Sequence, residues 1–532
     1  MGQRHLPLPS DGGEGVSETI LMKSSLKAVA EIELKFLVAP DDFDSLEANE
    51  IFAHEVAPVQ LRSVYYDTPN SDLHKRGISL RVRSKGATFI QTVKRQSGQR
   101  LFDRDEWEST VKDEEPDPIA WVGTPVATIL GKNGSKSLYP VFSTTVHRTT
   151  RLVNEGTGLV EVSIDRGDVA AGELREPIDE VELELKGGDP AALFGVARRL
   201  GASAVLSLSF QSKAERGYRL RGQNYLVAHK GVRADISGGM PVAEAFSLIA
   251  RSCLAQVADN ATLLSLAKSP EVLHQLRVGL RRLRAAFATF KPILLGKDMD
   301  RLKAEAKWLS GELDSARDLD VFLQNNIPSI ESDAHDDPAL VAFGARLLQA
   351  QTELYHRALG ALHSKRAAAF LLDCTEWVEI RAWRRNHDPV APKLRAVDLS
   401  ILAIQALEDQ RRQLRNNGKH LAKLDPAGKH RVRIKARRLY LAAEFFTKSL
   451  AGVAPKRRRK FMLSLKALQD RLGELNDITV ARRTALAVVG SSTEAAFRAG
   501  RVVGGQDLNE PNLLAKVVEA YERWQHVTPY WR

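Results

Sequence analysis

Residues 30–36, Ala-Glu-Ile-Glu-Leu-Lys-Phe, alternate strictly between charged and apolar side chains. Glu31, Glu33 and Lys35 fall on one side and Ile32, Leu34 and Phe36 on the other, the period of two that a strand imposes. Taken alone, such a segment is an ordinary solvated strand face. Glu-x-Glu can also chelate a hard cation through oxygen, and a lysine two residues on adds a positive charge beside it.

The pattern recurs. Ser79–Arg83 sets Arg81 and Arg83 on one face, 88–95 sets Ile90, Thr92 and Lys94, and 102–109 sets Arg104, Glu106 and Glu108. Arg148 lies in the Thr/Val-rich run 143–153. Residues 159–165 align Glu161, Ser163 and Asp165, and 179–185 align Glu180, Glu182 and Glu184 against Val181, Leu183 and Leu185. Most of the intervening segments carry Gly, Pro or polar clusters, as turns do. Seven such strands predict an antiparallel sheet closing into a barrel, with charged faces inward and apolar faces outward under helices. Asp41–Glu50 and Asp189–Gly201 are helical candidates for that cover. Acidic pairs cluster on the first and last strands and Arg/Lys between them, whereas a solvated surface intersperses signs. Arg62, Arg95 and Arg151 are read as surface charges.

Eight segments then carry a resemblance. EIELKF (31–36), YYDTP (65–69), LRVR (80–83), QTVK (91–94), FSTTVHR (142–148), ID (164–165), VELELKGG (181–188) and SKAERGYRL (212–220) stand in the order of a CYTH domain. Residues 28–222 resemble this triphosphate tunnel metalloenzyme family, and its inorganic triphosphatases most. The resemblance implies Mg²⁺ or Mn²⁺ held by Glu31, Glu33, Asp165, Glu182 and Glu184, with Glu180 assisting, all hard oxygen donors. It implies phosphate held by Lys35, Arg81, Arg83, Lys94, Arg148 and Lys213, with Arg104 a weaker candidate. Lys35, Glu106 and Arg148 are the catalytic candidates, Glu106 as the carboxylate that orients the attacking water where the metal does not activate it.

At 532 residues the chain has room for two or three domains. Its charge is divided: residues 1–222 hold 28 Lys+Arg and 33 Asp+Glu, net −5, and residues 223–532 hold 49 and 33, net +16. Two cysteines, Cys253 and Cys374, exclude a disulfide framework and fit a reducing compartment. No apolar run approaches the ~20 residues of a membrane span. Residues 1–27, rich in Gly and Ser, read as a disordered lead and not a signal peptide, and 223–236 read as a linker. The expected fold is α+β: a β-barrel tunnel with flanking helices, then an all-α part of two pseudo-symmetric helical bundles.

That all-α part, 237–525, repeats itself at about 240–395 and 396–525. His274-Gln-Leu-Arg277, followed by Arg281, Arg282 and Arg284, aligns with His430-Arg-Val-Arg433, followed by Arg437, Arg438 and Tyr440, at an offset of 156. Arg317-Asp318-Leu-Asp-Val321 aligns with Asn476-Asp477-Ile-Thr-Val480 at an offset of 159. His and Arg three and seven residues on share a helix face, where like charges repel unless an anion offsets them. Asp318 and Asp477 are read as caps or as partners that orient the arginines. The region resembles a CHAD domain, which implies inorganic polyphosphate on a basic surface or channel between the halves. The residues implied are His274, Arg277, Arg281, Arg282, Lys307, His430, Arg433, Arg437, Arg438 and Lys466. Lys456–Lys460 is read as a separate exposed loop.

The expected activity is metal-dependent hydrolysis of tripolyphosphate or polyphosphate in the tunnel, with the basic helical half binding long chains. The alternatives are a non-catalytic polyphosphate-binding or targeting protein, or a tunnel enzyme for thiamine triphosphate or ATP, with adenylate cyclase chemistry last. Nucleic acid is disfavoured because the basic stripes lack interleaved aromatics for stacking bases. The expected setting is the cytoplasm, with the CHAD resemblance implying association with polyphosphate granules.

Overall fold

The computed structural model describes residues 29–53, 57–96, 103–131, 137–222, 227–333, 337–385, 391–450, 452, 454–489 and 493–532. The expected N-terminal lead, Phe102 at the start of one expected strand, and the first part of the expected linker lie outside these residues.

The first half runs β1 (Val29–Leu37), α1 (Phe43–Glu47), β2 (Val59–Asp67), β3 (Ile78–Lys85), β4 (Thr88–Gln96), β5 (Asp103–Val111), α2 (Pro125–Leu130), β6 (Tyr139–Glu155), β7 (Gly158–Ala171), β8 (Leu174–Gly187), α3 (Ala191–Ser203), β9 (Ser207–Ser209) and α4 (Lys213–Arg221). All strand pairings are antiparallel, in the order β5-β4-β3-β2-β6-β7-β8-β1-β9. β1 closes the ring by pairing with β5 (Glu31 opposite Arg104) as well as with β8 (Lys35 opposite Glu182), so eight strands form a barrel. Its C-terminal end also takes the short β9. The alternating segments fold as expected, with their charged sides inward.

Two apolar layers cover the outside. Val64, Leu80, Val93 and Trp107 pack under Trp121 and Val126 of the α2 region. On the other side Leu34, Phe36, Val162 and Leu183 pack under α1 and under Leu193, Phe194 and Val196 of α3. The sequence pattern missed two strands. β2 is buried on both sides from Ser63 onward and so does not alternate, and β9 is three residues long.

The helical half runs α5 (Val242–Leu266), α6 (Pro270–Thr289), α7 (Lys291–Leu294), α8 (Lys297–Glu312), α9 (Asp314–Asp333), α10 (Pro338–Leu362), α11 (Lys365–Glu379), α12 (Ala391–Ala396), α13 (Leu399–Asn417), α14 (Pro426–Phe445), α15 (Pro455–Val489), α16 (Thr493–Leu508) and α17 (Glu510–Gln525). The repeated motifs occupy equivalent helices. α6 begins with Ser269 accepting from the Val272 amide and Pro270 in the first turn; α14 begins with Asp425 accepting from the Gly428 amide and Pro426 in the first turn. Each start satisfies orphan amides with a short polar side chain and sets φ with proline. α8 and α9 are broken at Leu313, where their counterpart α15 runs unbroken for 35 residues. No helix among the described residues is long and apolar enough to cross a membrane.

One expectation changes, and the expected linker is anchored over 227–236. The His229 amide donates to Asn260 and Asn260 donates to the His229 carbonyl, while Ala228 and Ile236 are buried. Lys456–Lys460 is not a loop but the start of α15, with every residue except Arg458 fully on the exposed side.

The two halves share a core. The cluster containing Leu34, Phe36 and Phe194 continues without a break into Phe246, Leu283 and Trp377. At its rim Arg198 pairs with Asp373 at 2.9 Å, Arg301 pairs with Asp373 at 2.7 Å, and the Lys365 ammonium donates to the Ala202 carbonyl at 2.9 Å. Apolar contact on this scale couples unfolding. A calorimetric scan should therefore show one main transition for barrel and helices together, and two well-separated transitions would refute the coupling.

Candidate functional site: a charged tunnel and an arginine cluster

The barrel interior holds a cavity of ≈ 260 Å³. β1 supplies Glu31, Glu33 and Lys35; β3 supplies Arg81 and Arg83; β4 supplies Lys94; β5 supplies Arg104, Glu106 and Glu108. Arg148 comes from β6, Glu161 and Ser163 from β7, Glu182, Glu184 and Lys186 from β8, and Lys213 from α4. Strand alternation explains this convergence, since residues two apart share the inner face. Arg62, Arg95 and Arg151 stand outside this lining; Arg62 pairs with Glu114 and Arg95 with Asp105. A second cavity of ≈ 160 Å³ shares Ser79, Lys94, Arg104, Ser212 and Ala214 with the first and continues it sideways toward His74 and Tyr218.

Most of the wall cations are paired. Lys35 lies 2.8 Å from Glu182 and 3.3 Å from Glu180, and Lys94 lies 2.7 Å from Glu31 and 3.2 Å from Glu106. Arg148 grips Asp165 through two hydrogen bonds of 2.7 and 2.6 Å and also bonds Glu182. Lys186 lies 2.7 Å from Glu184, and Arg81 is 3.9 Å from Glu106. Among the described residues Arg83 and Arg104 make no ion pair. Burial, with Arg81 and Arg148 nearby, pulls Arg83 down to about 10. An arginine so placed is short of negative charge.

The carboxylates divide in the same way. Burial alone would raise Glu182, but Lys213, Lys35 and Arg148 outweigh it and hold its carboxyl well below the usual range. Glu33 is raised by burial and then by repulsion from Glu182 and Glu31, which Lys35 does not cancel. Glu184 is raised as well, chiefly by burial.

Two residues expected among the metal ligands are set deeper than the others. Asp165 and Glu180 are fully buried and lie behind the cavity wall, not on it. Oxygens of Asp165, Glu180 and Glu182 come within 4.8 Å of one another, a spacing that could hold a cation. The Lys213 ammonium fills that place, 2.6 Å from Asp165, 2.8 Å from Glu182 and in contact with Glu180. Their carboxylates are thus counterions to lysine and arginine. Arg104, rated weaker from sequence, stands on the wall beside the others. Glu108, Glu161, Lys186 and Tyr65 also line it and were not singled out; only the strand alternation marked the first two.

In the helical half α6 and α14 come together with α9, and five arginines meet there. Burial, then Arg437, Arg277, Arg433 and Arg317, pull Arg281 down to about 9. Burial with Arg433 and Arg277 pulls Arg437 down to about 10. Burial with Arg317 and Arg281 takes His274 down to about 4, and burial with Arg433 lowers His430. Arg277 pairs with Asp314 at 2.5 Å, but among the described residues Arg281, Arg433 and Arg437 make no ion pair. The Nε atoms of Arg281 and Arg433 are buried without a hydrogen-bond partner. Asp318 pairs with Arg483 at 2.5 Å, and with Asp477 it bears on Arg433 electrostatically.

Four expected residues stand apart from this cluster. Arg282 is buried and donates to Gln256 at 2.7 Å, because one residue past Arg281 turns 100° around the helix. Arg438 is exposed and faces Arg284. Lys466 is exposed and pairs with Asp470 at 2.7 Å, and Lys307 is exposed. A cavity of ≈ 470 Å³ between α9 and α15 is lined by Asp318, Glu474, Asp477, asparagines and apolar groups, so the basic ground between the halves is the arginine cluster and not this cavity.

Comparison with known proteins agrees with this division. The CYTH domain profile matches residues 30–218 and the CHAD domain profile residues 248–486. An inorganic triphosphatase of Haemophilus influenzae is 32% identical over 216 residues, 37% of this chain and 56% of the relative; the match thus spans little more than half of that relative's length. The crystal structure of the CHAD domain from the plant Ricinus communis is 25% identical, with a TM-score of 0.48 over 56% of this chain and 96% of that one. PptA from Streptomyces chartreusis is 19% identical, with a TM-score of 0.41 over 53% of this chain and 100% of that one. With the closed barrel in its first half and the duplicated helices in its second, the chain carries a CYTH domain followed by a CHAD domain.

Proposed function

We propose that the tunnel hydrolyses inorganic tripolyphosphate, or the end of a related polyphosphate, in a metal-dependent reaction, and that the arginine cluster binds long-chain polyphosphate. The observation that carries this reading is the wall charge. Among the described residues Arg83 makes no ion pair in a cavity where most neighbouring cations have one, and it shares that cavity with Glu33, whose carboxyl is raised by burial and by Glu182 and Glu31. A phosphate chain would supply the anion that Arg83 lacks. A divalent ion would relieve the crowding of carboxylates about Glu33.

The residues fit such an ion. Glu31, Glu33, Glu182 and Glu184 line one cavity with hard oxygen donors, and Glu33 is raised by burial and by the nearby Glu182 and Glu31. These four would hold Mg²⁺ or Mn²⁺, and when bound it would neutralise phosphate charge and acidify a ligated water. The protein's own part is placement. Arg83 and Arg104 would take the chain, Arg81 and Lys94 would flank it, and Lys35, Arg148 and Lys213 would meet the end nearest the acids. Glu106, 3.2 Å from Lys94, would orient the attacking water.

For the helical half, five clustered guanidiniums at a cost in self-repulsion support a polyanion site better than a solvated face. The reading of a binding protein without catalysis accounts for this cluster but leaves the acid-rich tunnel wall without a purpose.

Phosphate release from tripolyphosphate, long-chain polyphosphate, ATP and thiamine triphosphate, each with and without Mg²⁺ or Mn²⁺, tests the reading. Metal-dependent turnover should be fastest on tripolyphosphate. Preference for an organic triphosphate would reassign the substrate, and no turnover with any of them would leave only the binding function.

A further inference from the structure

α4 fills one end of the barrel. Its Ala214 and Leu220 join Leu61, Tyr65, Val146, Val169 and Ile178 in an apolar cluster. Gly217 lies so close to the Phe142 ring that a β-carbon there would fall 2.2 Å from it, which fixes the depth at which the helix sits. Its rotation is set by charge. Glu176, on the same side of β8 as Glu180 and Glu182, is 9% exposed. It accepts from Arg216 Nε at 2.8 Å and from Arg219 Nη2 at 2.8 and 2.9 Å. Arg216, 7% exposed, also donates to Glu180 at 3.4 Å and to the Pro177 carbonyl. Ser212 and Glu215 cap the helix reciprocally, so its first turn is rigid.

Lys213 lies three residues before Arg216, on a neighbouring face one turn away. Its ammonium sits among Asp165, Glu180 and Glu182. Glu176 lines neither cavity, and among the described residues its carboxylate bonds only to the two arginines of α4. We propose that Glu176 is a positioning residue: through Arg216 it locks α4 in the barrel end and so sets where the Lys213 ammonium meets the phosphate chain. Without this lock α4 keeps its apolar seat and the bonds of Tyr218 to Asp67 and Arg221 to Tyr139, but its first turns lose their main tie to β8 and Lys213 shifts its register against the wall. The inference rests on the tunnel reading above.

The test is a double-mutant cycle on tripolyphosphate affinity, measured calorimetrically in EDTA so that no turnover enters. Four full-length proteins are compared: parent, Glu176→Gln, Lys213→Ala and the double variant. Glu176→Gln should weaken binding about 10-fold, near 1.4 kcal/mol. Placed on Lys213→Ala it should add nothing, because the group it positions is gone. Should Glu176→Gln not fold, Arg219→Met, which removes one of the two partners, should weaken binding about 3-fold and show the same coupling. Additive losses with a binding-competent parent would overturn the lock alone, as a merely structural Glu176 would weaken binding whatever stands at 213. A parent that does not bind tripolyphosphate would overturn the tunnel reading and the lock with it.

Discussion

Replacing Glu31 and Glu33 together with glutamine should lower tripolyphosphate turnover about 10³-fold, or about 4 kcal/mol of transition-state stabilisation, and leave the barrel folded. The two carboxylates share the inner face of β1 with Lys35. Glutamine keeps their shape but gives up the charge that a divalent ion needs. The stability side of the expectation is less obvious. Glu33 is raised by burial first and then by its carboxylate neighbours, so in the metal-free protein its ionised form opposes folding at neutral pH. A carboxyl raised in the folded state contributes stability below its unfolded value and loses it as pH rises through the folded one. Glutamine removes that loss. Glu31 is the costlier change, because its two bonds to Lys94 weaken, although Glu106 remains 3.2 Å away to hold the lysine. Melting of the metal-free double variant should therefore fall within a few degrees of the parent. Mn²⁺, which should raise the melting point of the parent, should barely move the variant. Retained turnover in the variant would remove these two residues from the site.

Where one face of an element met water-filled or charged space and the other met core, the sequence displayed it. β1, β3, β5, β7 and β8 all alternate because their inner sides line the tunnel and their outer sides the apolar layers. β2 breaks the pattern because its inner residues, Ser63, Tyr65 and Asp67, lie toward the end where α4 packs and are buried along with its outer ones. The closure of β1 on β5 was inferable from strand number, but the division of labour among the acids was not. Glu180 and Glu182 share a strand and a face, yet one is a buried counterion and the other lines the cavity. Lys213 of α4 meets both, and only the arrival of Arg216, more than thirty residues downstream, separates them. Likewise the arginine motif announced a basic face on α6 and α14. It did not reveal that Arg317 of α9 joins the cluster, or that Arg282 turns away to Gln256.

Arg281→Met combined with Arg437→Met should weaken long-chain polyphosphate binding about 10²-fold while raising the melting temperature of the ligand-free protein. Both guanidiniums are held below their ordinary range by burial and by one another's neighbours, and neither has an ion pair among the described residues. Each is therefore a charge that the fold carries at a loss until an anion arrives. Methionine matches the length of the stem and fills the half-buried site without charge. Losing two charge-assisted phosphate contacts amounts to about 3 kcal/mol, and the slope of log affinity against log salt should flatten by about two. The gain in stability should be clearest at low ionic strength, where guanidinium repulsion is least screened. Tripolyphosphate turnover should be unchanged, since the tunnel draws its cations from β1, β3, β4, β5, β6, β8 and α4. A solvated, ligand-free arginine face would give the opposite pair of results: no change in binding, and no stabilisation from removing charges that water already screens. Stability and binding moving in opposite directions on one pair of substitutions is thus the signature of a site built to hold a polyanion.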